Sequence, residues 1–316
     1  MYFEELKKIL GSNDKDKVFM PNEIFVDLKM HLKDSSHIAF AYSYYFVITY
    51  LYRNARYRNV IDKSGKEIEI NQSELKQILG YSKDNKTTNF IIKQNGILDQ
   101  MGYTQTVSDF PTYIERKILC LGKEKLSDEL YIEMYSDMDL ETKKYLKENR
   151  RNHKIKYPVK AFYRTPEDQK DSHQNGTFFF VDSTHGIPVD VFIYCMTNKE
   201  IGCVGFYLYS YLKRMNDMFE KGYDVPLERL SENTGIKPTT LDKYLDKLKA
   251  YNLISCIVRP FVVGKPTDVK LKANTYRTHE FDQFLYTRQW YEKRKVMSYE
   301  NYTIDGDLSD ETNPFE

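Results

Sequence analysis

Close cysteine pairs are missing from this sequence: Cys120, Cys195, Cys203 and Cys256 lie far apart in 316 residues. Their spacing excludes the paired thiols of structural zinc sites and dithiol redox motifs, and predicts cysteines that are reduced and mostly buried. Long apolar runs are missing too. The longest uncharged run, residues 38–52, is shorter than the ~20 residues that span a bilayer, and MYFEELKKIL has no apolar signal-peptide core. The chain is therefore expected in the cytoplasm, away from membranes. Six histidines (His31, His37, His153, His173, His185, His279) never form a His-apolar-His metal triplet. No phosphate-cradling loop ending in Gly-Lys-Ser/Thr and no G-x-S-x-G turn occurs, which disfavours an ATPase or a typical hydrolase. The 27 tyrosines are too many for any one to stand out as a nucleophile. No cofactor, metal or catalytic chemistry of the chain's own is expected.

An excess of one charge is absent as well, since 47 basic and 46 acidic residues leave +1 (47 − 46). Balance is not evenness, however. Residues 141–160 hold eight basic side chains (Lys143, Lys144, Lys147, Arg150, Arg151, Lys154, Lys156, Lys160) against Glu141 and Glu148, a local charge of +6 (8 − 2). The tail offsets them with Asp305, Asp307, Asp310, Glu311 and Glu316. A solvated helix face explains the basic run about as well as phosphate binding does, and a solubilising tail is the simpler reading of the acids. Apolar residues at 41% and charged residues at 29% suit two globular domains, with only the tail reading as unfolded.

What the sequence does contain is a repeat. Val18-Phe19-Met20-Pro21-Asn22-Glu23-Ile24-Phe25 is echoed by His185-Gly186-Ile187-Pro188-Val189-Asp190-Val191-Phe192. After each comes an aromatic-rich helix, with Phe46 to Arg53 lying over Tyr207 to Arg214. Glu69-Ile70 and Asp224-Val225 then open segments that contain Leu75 or Leu230 and end at Gly80 or Gly235. The offset falls from 161 at the aromatic helix to 155 at the glycines, so the first copy carries six extra residues, assigned to a turn at Asp62-Lys63-Ser64-Gly65-Lys66.

The second copy is the cleaner. Leu227 to Thr234 reads as a short helix stopped by Gly235, and Lys237-Pro238-Thr239-Thr240 starts the next one. Leu241, Tyr244, Leu245 and Leu248 recur at three- and four-residue spacing and face the core, leaving Thr239, Thr240, Lys243, Asp246 and Lys247 outward. This is a helix-turn-helix pattern. Thr and Lys near the N-terminus of its second helix suit base edges and phosphates of a major groove, while Asp246 does not and is expected to pair locally. Leu253 to Val258, a Gly264-Lys265-Pro266-Thr267-Asp268 turn and Val269 to Tyr276 then read as a two-stranded wing. Arg259, Lys265, Lys270 and Lys272 on it suit the DNA backbone, although edge strands also carry Lys to prevent aggregation.

The first copy repeats the plan with a longer turn. Asn71 to Leu79 is the bracing helix, Gly80-Tyr81 the turn, and Thr88 to Leu98 the candidate recognition helix, with Ile91 and Leu98 inward and Asn89 and Lys93 outward. Lys83, Lys86 and Thr88 join these as candidate contacts, with Arg150 and Arg151 along the phosphates. Its wing is expected from Tyr103 to Cys120 through Ser108-Asp109-Phe110-Pro111. The fold expected is α+β: tandem duplicated winged-helix domains, at 1–135 and 161–278, joined by a basic helical linker at 136–160. Residues 279–316 are read as a C-terminal helix, already under way at Thr278 and running to Tyr299, followed by the acidic tail.

Met20-Pro21-x-x-Ile24-Phe25, the Tyr-rich helix, Asp62-x-x-Gly65 and Asn71-x-x-Glu74-Leu75 give residues 18 to 120 a further significance. This stretch resembles the N-terminal winged-helix domain of replication initiators from theta-replicating plasmids of Gram-positive bacteria. The linked pair is also similar to iteron-binding initiators of other plasmids. The resemblance implies recognition of repeated origin sequences in double-stranded DNA, followed by duplex opening or recruitment of a host helicase or its loader. The long turn after Gly80 departs from the pattern. Two other readings stay open on the residues: a winged-helix transcriptional regulator, self-associated as a dimer, and a protein-binding adaptor in a replication or segregation complex.

Overall fold

Tyrosine fills the centre of the first half of the chain, and its chemistry explains why. The computed structural model describes residues 2–13, 16–57, 60–61, 67–68, 70–117, 128–140, 143, 154–161, 183–264, 266, 271–291 and 295–305. It is a mixed α+β chain that divides into two units, Met1–Cys203 and Val204–Glu316. The first opens with α1 (Phe3–Leu10), β1 (Lys17–Pro21), α2 (Ile24–His31) and α3 (Ser35–Arg53). Every residue of α3 from Ile38 to Tyr52 is buried, the signature of a core helix rather than an amphipathic surface one. Tyrosine suits such a helix because its ring fills space while its hydroxyl ties down a neighbour. The Tyr42 hydroxyl lies 2.8 Å from Nε2 of His185, and Tyr50 donates to Asp16 Oδ2 at 2.8 Å. Beyond the helix, Tyr57 donates to the Lys156 carbonyl at 3.0 Å and Tyr103 to Asp27 at 2.7 Å. Burial, reinforced by the carboxylate partners, holds the Tyr50 and Tyr103 phenols well above the usual range.

The unit continues through β2 (Val60–Ile61), β3 (Glu67–Ile68), α4 (Gln72–Ile78), α5 (Asn89–Ile92), α6 (Ile97–Gln100) and β4 (Thr104–Val107). Then come β5 (Pro111–Lys117), β6 (Asp128–Met134), β7 (Ile155–Pro158), β8 (Thr184–Pro188) and α7 (Val189–Thr197). β2 and β3 pair with each other, and the turn expected at 62–66 lies outside the described residues.

The opening segments of the two sequence copies pair with one another. β1 and β8 are antiparallel, with Val18 opposite Ile187, Phe19 opposite Gly186 and Met20 opposite His185. His185 is buried, with Nδ1 3.0 Å from Asn22 Oδ1 and its ring 5.0 Å from that of Phe25. Phe192 on α7 stacks on Phe46 of α3 at 5.0 Å, and the Val189 amide donates to Asp16. The start of the second copy, expected in a domain at 161–278, thus belongs to the first unit, whose boundary falls after Cys203.

Two further expectations change here. β4 pairs antiparallel with β7, and β5 with β6, so among the described residues of the expected wing, 103–117, the chain does not fold back on itself. Asp109 redirects the chain, its carboxylate accepting from the Phe110 amide at 3.0 Å, the Ser136 amide at 2.9 Å and the Ser136 hydroxyl at 2.9 Å. The end of the basic run, expected as a helical linker, holds strand β7, paired with β4; Lys143 is helical, and residues 141–142 and 144–153 lie outside the described residues.

The second unit comprises α8 (Gly202–Met218, of which Val204 onward lies in this unit), β9 (Tyr223–Asp224), α9 (Leu227–Thr234) and α10 (Pro238–Ala250). β10 (Ile254–Ile257), β11 (Phe261–Val263), β12 (Thr275–Thr278), β13 (Val296–Ser298) and α11 (Tyr299–Asp305) complete it. Its three-stranded antiparallel sheet runs β10-β12-β9. Asn216 of α8 anchors β12, accepting from the Thr278 amide at 2.7 Å and donating to the Tyr276 carbonyl at 3.0 Å. Among the described residues of 278–299 there is no long helix. Residues 281–283 form one 3-10 turn, and the chain then runs past the end of α10, with the Leu285 amide on Tyr251 and the Gln289 amide on Ala250. Phe281, Phe284 and Leu285 mimic helical spacing, but the Leu285 and Gln289 amides, given to Tyr251 and Ala250, are lost to a helix of their own. Among the described residues no helix is long and apolar enough to cross a membrane.

Candidate nucleic-acid interface

α9 and α10 form the angled helix pair that the sequence outlines. Gly235 closes α9 at φ 69°, a left-handed conformation that costs a glycine nothing. The turn is then fixed from three sides: Ser231 donates to the Ile236 carbonyl at 2.7 Å, Tyr207 to the Thr234 carbonyl at 2.8 Å, and Thr234 to Leu230 at 2.7 Å. Pro238 occupies the first turn of α10, where its missing N–H is no loss. Leu241, Leu245 and Leu248 are buried, whereas Tyr244 is only half-buried and carries the Lys247 ammonium 4.6 Å above its ring. Thr239 and Lys243 are exposed, and Thr240 and Lys247 half-exposed. Asp246 forms a 3.1 Å ion pair with Lys249, the local pairing expected of it.

Beside this helix, β10 and β12 pair from Ile254↔Thr278 to Ile257↔Thr275, so the second strand begins later than the expected Val269. Arg259 is half-buried, its amide donating to Asn274 at 2.8 Å, and Lys272 is exposed. Lys265 and Lys270 lie outside the described residues. The thiol of Cys256 on β10 is pushed up to about 11 by burial, and that of Cys203 in the first unit to about 12, so both are protonated at neutral pH.

The corresponding residues of the first unit are used differently. α4 is capped by Asn71, whose side chain accepts from Ser73 and Glu74, and Gly80 after it has φ 81°, matching Gly235. The expected helix from Thr88 to Leu98, however, is broken into α5 and α6. Asn95 is left-handed, and a Cβ on Gly96 would lie 2.7 Å from the Phe90 carbonyl oxygen and 2.8 Å from those of Ile91 and Lys93. Thr88, a candidate contact, is 1% exposed and bonds to Asn85. Asn89 turns its amide oxygen to the ammonium of Lys76, a buried lysine that also donates to the Asn85 carbonyl, each at 2.6 Å. Lys83 is exposed but paired with Glu74 at 2.7 Å, whereas Lys86 and Lys93 are exposed.

The basic run is partly structural. Lys156 is buried and bonds to Asp99 at 2.6 Å and to the Lys93 carbonyl at 3.0 Å. Burial, opposed by Asp99, lowers its pKa. Asp99 also accepts from Thr104 at 2.5 Å, Thr106 at 3.1 Å and the Asn95 amide at 2.9 Å. Lys160 lies 4.2 Å over the Tyr103 ring and 3.4 Å from Asp27, Lys154 donates to Gln94 at 3.0 Å, and Lys143 to the Ser136 carbonyl at 3.0 Å. Arg150 and Arg151 lie outside the described residues. Lys76 did not stand out in sequence, and Lys156 did so only as one cation of the basic run, not as a buried side chain. The signal for Lys156 is its place in Ile155-Lys156-Tyr157-Pro158, a strand buried on both faces.

No family model, curated protein or solved structure matches this chain. The residues themselves therefore carry the functional reading. They give the second unit a cationic, hydroxyl-bearing helix start set on a rigid turn, and give the first a matching frame whose polar side chains are largely spent on internal bonds.

Proposed function

We propose that the chain is a sequence-specific double-stranded DNA-binding protein in which the second unit is a winged helix and α10 its recognition helix. The observation that carries this reading is the order α8-β9-α9-turn-α10-β10-β12 closed by a β10-β12-β9 sheet, with Thr239, Thr240 and Lys243 presented at the start of α10. In that geometry the helix start meets base edges and phosphates, α9 braces across the backbone, and Lys272 and Arg259 approach the neighbouring phosphates. The first unit is a modified copy of the same module. By the resemblance of residues 18–120, the biological role is initiation of plasmid replication in the cytoplasm at repeated origin sequences, with a host helicase or its loader as partner.

Selection of bound DNA from a plasmid library, followed by footprinting, tests this. Clustered direct repeats support an initiator; one inverted repeat at a promoter indicates a dimeric regulator; no enrichment indicates a protein-binding adaptor. Lys243→Glu is expected to weaken the selected site by at least about tenfold, consistent with the ~1–3 kcal/mol of one base-edge contact. Full binding by that variant, measured by anisotropy, would remove α10 from the interface. Neutralising Arg150 and Arg151 together is expected to lower the slope of log K against log salt by about one to two units, one for each phosphate lost. An unchanged slope would make their segment a spacer.

A further inference from the structure

The chain's one tryptophan, Trp290, is 84% exposed, and Tyr286 beside it is 70% exposed. Both stand on an arm that is fixed at several points. Phe284 is buried at its base, edge-to-face with Tyr209 and Phe281 at 5.7 Å each. The Leu285 and Gln289 amides bond to the last carbonyls of α10 at 3.0 and 2.8 Å, and Tyr291 lies 4.5 Å under the Lys249 ammonium. An indole held in water between such anchors is presented, not frayed. The sequence around it is basic, since residues 288–295 contain Arg288, Lys293, Arg294 and Lys295 against Glu292. The acids nearby, Asp246 and Asp242, face Tyr291, and Asp246 is already paired with Lys249.

Exposed planar rings in a basic stretch of sequence match the two features common to every unpaired nucleotide, a base face and a phosphate. We infer that the arm at Tyr286–Tyr291 is a binding surface for single-stranded DNA, with Trp290 stacking on an unpaired base beside the duplex held by α10. This inference rests on the reading of α10 as a duplex-binding helix. Base stacking is indifferent to sequence, so the arm would hold any strand freed next to the specific site.

Trp290 reports its own contact. Titrating the full chain with a short oligothymidylate is expected to quench its emission saturably, while a blunt duplex of the selected site leaves most of it. With a labelled oligothymidylate, Trp290→Ala is expected to bind about tenfold more weakly and Trp290→Phe nearly normally, both retaining duplex affinity. No quenching by oligothymidylate, with duplex binding intact, overturns the inference. So does an emission change that tracks protein concentration without DNA, which would assign the arm to a second copy of the chain. If the unaltered chain fails to bind any duplex, the reading of α10 falls, while quenching by oligothymidylate still decides whether the arm binds a single strand.

Discussion

A fragment ending at residue 160, where the sequence places a domain boundary, is expected to unfold without a cooperative transition, while one ending at Cys203 retains it. The difference is β8 and α7. β8 gives β1 its hydrogen-bonding partner along five residue pairs, from Lys17↔Pro188 to Pro21↔Thr184. α7 brings Val189, Val191, Phe192 and Ile193, all fully buried, with Phe192 against Phe46 and Asp190 within 3.7 Å of the Lys7 ammonium. Fully burying each such side chain contributes about 1.5–3 kcal/mol, so these four alone approach the ~5–15 kcal/mol by which a whole domain is stable. Without residues 184–197, Tyr42 also loses His185, leaving a polar hydroxyl buried in α3. In the intact chain, Phe192→Ala is expected to cost about 3–5 kcal/mol, read from the urea midpoint. A cooperative, native-like transition in the 1–160 fragment would show that the pairing of β1 with β8 is dispensable.

That boundary marks where sequence reasoning reached its limit. Local signals were legible: Gly235 and Pro238 fixed α9 and α10 to the residue, Asn71 marked where α4 begins, and the leucine spacing of α10 picked its buried face. These depend on neighbours within a few positions. A repeat in the sequence says nothing about which copy a segment packs against, and the second copy's opening strand pairs with the first copy's. β4 pairs with β7 across some fifty residues, a partner no local pattern announces. In the first unit, Ile91 and Leu98 fit helical spacing well enough to hide the break between them, although Asn95-Gly96 is a turn dipeptide that marks it. The same error produced a helix at 278–299, where aromatic spacing outweighed the demand of α10's terminal carbonyls. At the candidate site, the exposed faces of α10 came from periodicity, but the internal use of Asn89 and Lys156 depended on distant partners, and that of Thr88 on Asn85 three residues before it.

Asp99→Ala is expected to be the most damaging single polar substitution in the first unit, costing about 3–5 kcal/mol, the usual result of leaving half of a buried ion pair behind. The Lys156 ammonium would keep only the Lys93 carbonyl, and the hydroxyls of Thr104 and Thr106 and the Asn95 amide would lose their acceptor together. Lys156→Met removes the other half and is expected to cost less, because the Asp99 carboxylate keeps those three donors. The two variants also differ with pH. Burial already lowers the Lys156 pKa, and Asp99 is what opposes that fall. Without Asp99 the folded-state pKa drops further below the unfolded value of about 10.4. The folded state then binds fewer protons than the unfolded one between those two values, so stability rises with pH across that window and is lost as pH falls through the folded pKa. Urea midpoints of Asp99→Ala should therefore recover from neutral toward alkaline pH relative to Lys156→Met, which lacks the titrating group. Parallel pH profiles for the two variants would exclude a buried charge as the source of the cost. The consequence reaches the candidate interface, because Lys156 and Asp99 together fix the Lys93 carbonyl and the Asn95 amide. Without them, the turn that interrupts α5 and α6 loses its outside support, and Lys93 its fixed position on the surface.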